Sequence, residues 1–268
     1  MLNDVTLGQY YPGNSAVHRL DPRVKILLTI AMIVGVFLVR SFVGYAVVLA
    51  LVVGASTMAQ VPARTVIRSI KPLRMILLLT FFLNLFFGTG ETVLVQWQFI
   101  KITGEALKNA IHYSLRLAFL VMGTSLLTLT TSPVALSDGL EMLMSPLKVI
   151  HFPSHELAMM LTIALRFIPT LLEETDKIMK AQMARGADFE SGNLLARAKA
   201  MVPLLVPLFV NAFRRAGDLA TAMESRCYHG GEGRTRLRVL KLQKIDLYAT
   251  LVMVLFIALI VAANALPV

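Results

Sequence analysis

Two phrases of this sequence share a pattern: "MKAQMARGADFE", from Met179 to Glu190, and "TAMESRCYHGGE", from Thr221 to Glu232. Each sets an arginine at the predicted end of a helix. Ala184 and Gly186 flank Arg185; Ser225 and Cys227 flank Arg226. The chemistry such a residue offers is recognition. A guanidinium is planar, permanently charged, and presents five donors in a fixed fork that fits carboxylate or carbonyl groups. Small neighbours let a partner surface come close to the backbone. A cation at a helix C-terminus is also favourable by itself, by about 0.3–1 kcal/mol, so the reading rests on the pair.

Arg116 sits inside an apolar run, where an arginine costs roughly 2.5–3.5 kcal/mol on insertion scales. Glu105 is too near the interface to pair with it, and hydrogen bonds to carbonyls of the surrounding bundle are expected instead. Methionine is concentrated in one region: Met142, Met144, Met159, Met160, Met179, Met183, Met201 and Met223 are eight of the fourteen. This adaptable side chain recurs on surfaces that accept several partners, and core filling is the equal alternative.

Catalytic chemistry has no visible home. No stretch reads G-x-x-x-x-G-K-[ST], so the chain has no phosphate-cradling loop. "GGEGRTR" (230–236) follows a helix and does not open one. His151 and His155 have helical spacing, but Pro153 breaks the shared face that a metal would need. Cys227 and His229 make an isolated C-x-H. As the single cysteine, Cys227 also excludes an internal disulfide.

The elements that must position the two arginines follow from composition. The 268 residues are 56% hydrophobic and 16% charged, with mean hydropathy +0.70. A soluble domain carries about a quarter charged residues; this is an all-α polytopic membrane protein. Apolar runs predict spans at 26–39, 42–59, 75–87, 110–129 and 247–263. Lys25, Arg40 and Arg74 are expected to snorkel to the interfaces. The stretch 90–105, "GETVLVQWQFIKITGE", alternates like a hairpin, with Trp97 as an interfacial anchor. No basic n-region precedes the first run, so no cleaved signal peptide is indicated. The net charge of +10 gathers before the first span and between the second and third. That points to a cytoplasmic N-terminus and not to nucleic acid.

Residues 131–246 differ: a long helical pattern rich in both charge signs. Ser132-Pro133 starts one helix and Pro153-Ser154 the next. The second begins apolar, is broken by Arg166 and Pro169, and ends as "EETDKIMKAQMARG". A third is expected from near Leu194 to about Tyr228. Such helices suit shallow excursions from the bilayer, giving five spans. A seven-span arrangement would place Arg185 outside and Arg226 inside.

"AVHRLDPRVKILL", "TTSPVALSDGLEMLMSPL", "ELAMMLTIALRFIPTLLEETDKIMKAQMARGADF" and "RAGDLATAMESRCYHGG" cover nearly the whole chain in order. On these phrases the chain resembles the transmembrane T component of energy-coupling factor (ECF) transporters, ABC-type importers of vitamins and metals (the EcfT and CbiQ-like family). One departure is that the second motif often reads Ala-Arg-Gly in that family, against Ser225-Arg226-Cys227 here. The resemblance implies a four-span membrane bundle over 1–130, a three-helix cytoplasmic coupling domain over 131–246, and a final transmembrane helix over 247–268. It implies two ABC-type ATPase partners, each taking one arginine motif, and a separate substrate-capture membrane subunit. Met142, Met144, Met159 and Met160 are its expected contacts. The chain itself is expected to be non-catalytic and to bind no cofactor, with ATP and Mg on the ATPases, in the plasma membrane of a prokaryote. The rival reading is a membrane scaffold or receptor whose cytoplasmic helices recruit signalling proteins.

Overall fold

The computed structural model describes residues 10–88, 93–97, 100–150, 152–189, 193–230 and 240–265. In chain order these form α1 (Ala16–Arg19), α2 (Pro22–Leu38), α3 (Phe42–Met58), α4 (Ala63–Arg68) and α5 (Arg74–Phe87). Then come β1 (Val93–Trp97), β2 (Ile100–Thr103), α6 (Gly104–Thr130), α7 (Pro133–Met144), α8 (Ser154–Ala184), α9 (Leu194–Ala200), α10 (Val202–Glu224) and α11 (Lys244–Ala265). Short 3-10 turns occupy Lys71–Leu73 and Ser145–Ile150. The architecture is all-α apart from the β1–β2 hairpin, which pairs antiparallel with Trp97 opposite Ile100 and an irregularity between Val93 and Val95.

The chain divides into two compact units, one over 8–139 with 240–268, the other over 140–239. In the first, α2, α6, α3 and α11 pack in a ring, each against the next. Its core contains Val36, Val48, Val52, Phe119, Phe256 and Ile260, all buried. The bundle's outward face is apolar: Leu27, Ile30, Phe37, Leu255 and Val261 are all exposed, as lipid contact requires.

Four helical stretches are long and apolar enough to cross a membrane: Ala63–Phe87, α6, α8 and α11. α3 is apolar but shorter. The third expected span was short by itself; α4 and the 3-10 turn continue it back to Ala63, giving 25 residues. α8 reaches the same length and apolarity although its second half is polar.

Both ends of the bundle are tied by polar contacts. At one end Asp21 caps α2, accepting from the Arg23 backbone N–H at 2.9 Å and from the Arg23 guanidinium at 3.1 and 2.9 Å. Asp246, also buried, accepts from the Asp21 N–H at 2.8 Å and the Gln243 N–H at 2.7 Å. The starts of α2 and α11 are thereby held together. At the other end the Asn264 side chain accepts from the Arg40 N–H at 3.0 Å and donates to the Leu38 carbonyl at 2.7 Å. The Ser41 hydroxyl donates to the Ala263 carbonyl at 3.2 Å.

Lys25 corrects one expectation. It does not snorkel: the residue is 6% exposed, and Nζ donates to the carbonyls of Thr130 (2.9 Å) and His18 (3.2 Å) and to the Thr131 hydroxyl (3.2 Å). Three acceptors replace the water that an ammonium otherwise seeks.

In the second unit α8 and α10 pack against each other. The expected single third helix is broken at Met201 into α9 and α10. Pro203 explains the break: it has no N–H with which to continue the α9 hydrogen-bond ladder, and it suits the first turn of a new helix.

Candidate functional site

Both arginines stand in the same helix-ending hydrogen-bond pattern. After α8, the Gly186 N–H bonds the Met183 carbonyl (3.0 Å) and the Ala187 N–H reaches back to Gln182 (3.0 Å). After α10, the Cys227 N–H bonds the Glu224 carbonyl (2.9 Å) and the Tyr228 N–H reaches back to Met223 (3.1 Å). Each is a Schellman motif, whose next residue after the cap must turn left-handed. Gly186 does so with φ 88°, and Cys227 with φ 55°. Arg185 and Arg226 stand immediately before those turns, so both side chains leave at the same station of the motif. Both are exposed, and among the described residues neither has an ion-pair partner.

Gly186 is demanded by backbone and not by space, since a Cβ there would meet nothing within 4 Å. Cys227 carries a Cβ in the same conformation, where an L-residue pays about 1–2 kcal/mol. Its thiol is free and exposed. Ala184 and Ser225 are exposed as well, leaving low relief around each guanidinium.

The helices that carry the arginines are pinned by a residue sequence reasoning passed over. Glu174 of α8 accepts from the Arg215 guanidinium (3.1 Å) and from the Asn211 amide of α10. Glu174 is mostly buried and Arg215 half-exposed. A signal existed: an acid in an amphipathic run facing "NAFRR". Nothing local named the partner. Arg185 lies as far beyond Glu174 as Arg226 lies beyond Arg215, about three helical turns or roughly 16 Å. Beside the pin runs an apolar groove of about 250 Å³, lined by Phe167 and Leu171 on one side and Leu219 and Met223 on the other.

Of the four methionines expected to meet a capture subunit, Met160 is 55% exposed; Met142, Met144 and Met159 are half-buried. The broader apolar surface lies on α10, where Leu205, Val206, Phe209, Val210 and Phe213 are all exposed. Arg116 donates to the Val39 carbonyl at 3.2 Å and lies 5.6 Å from the ring centres of Phe37 and Tyr113. His155 bonds Glu141 at 2.9 Å; His151 and the 231–239 stretch lie outside the described residues. No cluster of three metal-ligating side chains occurs among the described residues.

The model of the CbiQ family, described as cobalt transport protein, matches residues 13–237. Curated relatives carry the name energy-coupling factor transporter transmembrane protein EcfT. One from Acidaminococcus fermentans is 54% identical over 260 residues, 97% of each chain. One from Thermosediminibacter oceani is 56% identical over 248 residues, 92% of this chain and 93% of its own. One from Brevibacillus brevis is 46% identical over 260 residues, 97% and 98% of the two chains.

Proposed function

The chain belongs to the CbiQ/EcfT family of energy-coupling factor transporter membrane proteins, and from that membership we propose that it couples ATP hydrolysis by two ABC-type ATPases to uptake of a vitamin or metal. A separate membrane subunit captures the substrate. The observation that carries this reading is the equivalence of Arg185 and Arg226: same place before a left-handed turn, same hydrogen-bond pattern, same reach from a common pin. Two like motors on one asymmetric chain require two like handles.

Each guanidinium enters a partly desolvated groove on one ATPase and finds carboxylate or carbonyl acceptors there, and the small flanking residues allow the approach. The α8–α10 pair forms the core of a cytoplasmic coupling domain over 131–246, and the N-terminus lies in the cytoplasm of a prokaryotic cell. Met160 and the apolar face of α10 receive the capture subunit. ATP and Mg bind the ATPases, and this chain does no chemistry.

The test is co-expression of the tagged chain with two ABC-type ATPases and a capture subunit, followed by purification from the membrane. Stoichiometric recovery of two ATPase subunits per chain is the expected result. Recovery of soluble non-ATPase partners alone would favour a recruiting scaffold.

A further inference from the structure

α3 and α11 run antiparallel and are tied by a hydrogen bond at one end. Where α3 begins and α11 finishes, the Ser41 hydroxyl donates to the Ala263 carbonyl, and Val48 shares a core with Phe256 and Ile260. Toward the other end both helices line a crevice of about 350 Å³. Leu51, Ala55 and Met58 form one lip and Tyr248 and Val252 the other. Met58, Tyr248 and Val252 are more than half exposed. α2 and α6 close the back, and α1 closes the end.

The lining is apolar. Its one charged group, Lys25, already holds three acceptors, so water entering the crevice would find few polar partners. A volume of this size is within the roughly 300–1,000 Å³ of ligand sites. Its lip residues are exposed on the apolar surface of the bundle, so in a bilayer the mouth would meet hydrocarbon. It also lies wholly at the end where the chain's basic residues gather. Arg19 adjoins Leu20 on the end wall, Lys244 adjoins Ile245 on the α11 side, and both are exposed.

We propose that this crevice is a binding site for one anionic glycerophospholipid, an acyl chain lying between α3 and α11 and the phosphate held by Arg19 and Lys244. The two ends of the site divide the labour. The apolar walls hold any acyl chain, and the basic rim selects the anionic headgroup through charge-assisted contacts. Gly54 provides the means of testing it. It lines the crevice, and a Cβ there meets nothing within 4 Å, so a larger side chain fills the space without displacing a helix.

The experiment uses the full chain in phosphatidylcholine bilayers with phosphatidylglycerol spin-labelled on its acyl chain. The wild type is expected to give a motionally restricted component that unlabelled phosphatidylglycerol displaces and phosphatidylcholine displaces poorly. Gly54→Leu should lose it. Arg19→Gln with Lys244→Gln should keep a restricted component but lose the preference for the anionic lipid. Ala50→Leu on the same wall serves as a second plug, and thermal unfolding identifies any variant that has not folded. An equal restricted component in the wild type and in a folded plug variant overturns the site. An unchanged preference in the double variant overturns the role of the rim.

Discussion

Arg185 and Arg226 hold the same place in two matching helix ends of one unit: each stands one residue before a left-handed turn, Gly186 in one case and Cys227 in the other. The likeness is therefore one of backbone conformation, more than of flanking sequence. It gives both guanidinia the same exit direction relative to their helices.

Replacing either arginine with Ala should leave the bundle folded, because both side chains are exposed and contribute to no core. Truncating one partner of a desolvated charge pair costs about 2–5 kcal/mol, roughly 30-fold to several thousand-fold in affinity. Each single variant should weaken ATPase retention and uptake in proteoliposomes, and the double variant should release both ATPases. Arg185→Lys should recover only part, since an ammonium lacks the planar fork. Full retention and normal uptake in the double variant would reduce these residues to ordinary helix-end cations.

The two left-handed positions should respond oppositely to substitution. Cys227→Gly removes a Cβ from a left-handed backbone and should protect the 223–228 amides more strongly in hydrogen exchange, by about 1 kcal/mol. Gly186→Ala introduces that Cβ and should loosen residues 182–187 by about the same amount. Equal protection in all three proteins would remove the strain argument.

Glu174→Ala strips the pin from α8 and leaves Arg215 and Asn211 without their acceptor. Hydrogen bonds to a charged group contribute about 1.5–3 kcal/mol, with the lower end expected because Arg215 is half-exposed. ATPase binding should persist through the intact arginines while transport per ATP hydrolysed falls. The ratio of uptake to phosphate release in one preparation measures this; an unchanged ratio would confine Glu174 to local packing.

Asp21 should give the bundle an acid-sensitive stability. Burial pushes its carboxyl up, but the side-chain and backbone hydrogen bonds and charge of Arg23 outweigh burial and hold it below the ordinary carboxylate value. A depressed acid contributes stability that is present above its unfolded value, about 3.9. That stability is lost as pH falls through the folded value. Thermal unfolding in detergent should therefore drop at acid pH in the wild type. Asp21→Asn should be less stable at neutral pH and flatter across the acid range. Parallel curves for the two proteins would assign the effect to other carboxylates.

Topology can be read with the chain's own thiol. Cys227 is exposed and is the only cysteine, and a second can be placed at Ala187 in a Cys227→Ser background. A membrane-impermeant maleimide applied to intact cells should modify neither and should modify both in inverted vesicles. Labelling of position 187 from outside would mean that α8, which is long and apolar enough to cross, does so.

Much of this molecule was legible from patterns that are local in sequence. Ser132 accepts from the Ala135 N–H at 3.3 Å, where a cap before proline was expected, and α8 starts at Ser154 beside Pro153. The alternating stretch after α5 forms strands. What could not be read were partners distant in the chain. Lys25 looked like a snorkelling residue because nothing near it in sequence announces Thr130 and Thr131. Glu174 drew no reading because nothing near it in sequence announces Asn211 and Arg215. The turn at Cys227 was hidden for a different reason: left-handed backbone is signalled by glycine, and here a cysteine adopts it.

The placement of Glu174 and Arg215 has a mechanical meaning. Under the proposed docking, with Arg185 and Arg226 at matched distances from the Glu174–Arg215 contact, the helix pair would act as a rocker with equal arms. Equal displacements at both ends carry the fulcrum along without net torque. A displacement at one end alone turns the pair about the Glu174 contact. Simultaneous closure of two motors and the firing of one would then be different inputs, the first translating the apolar face of α10 and the second tilting it.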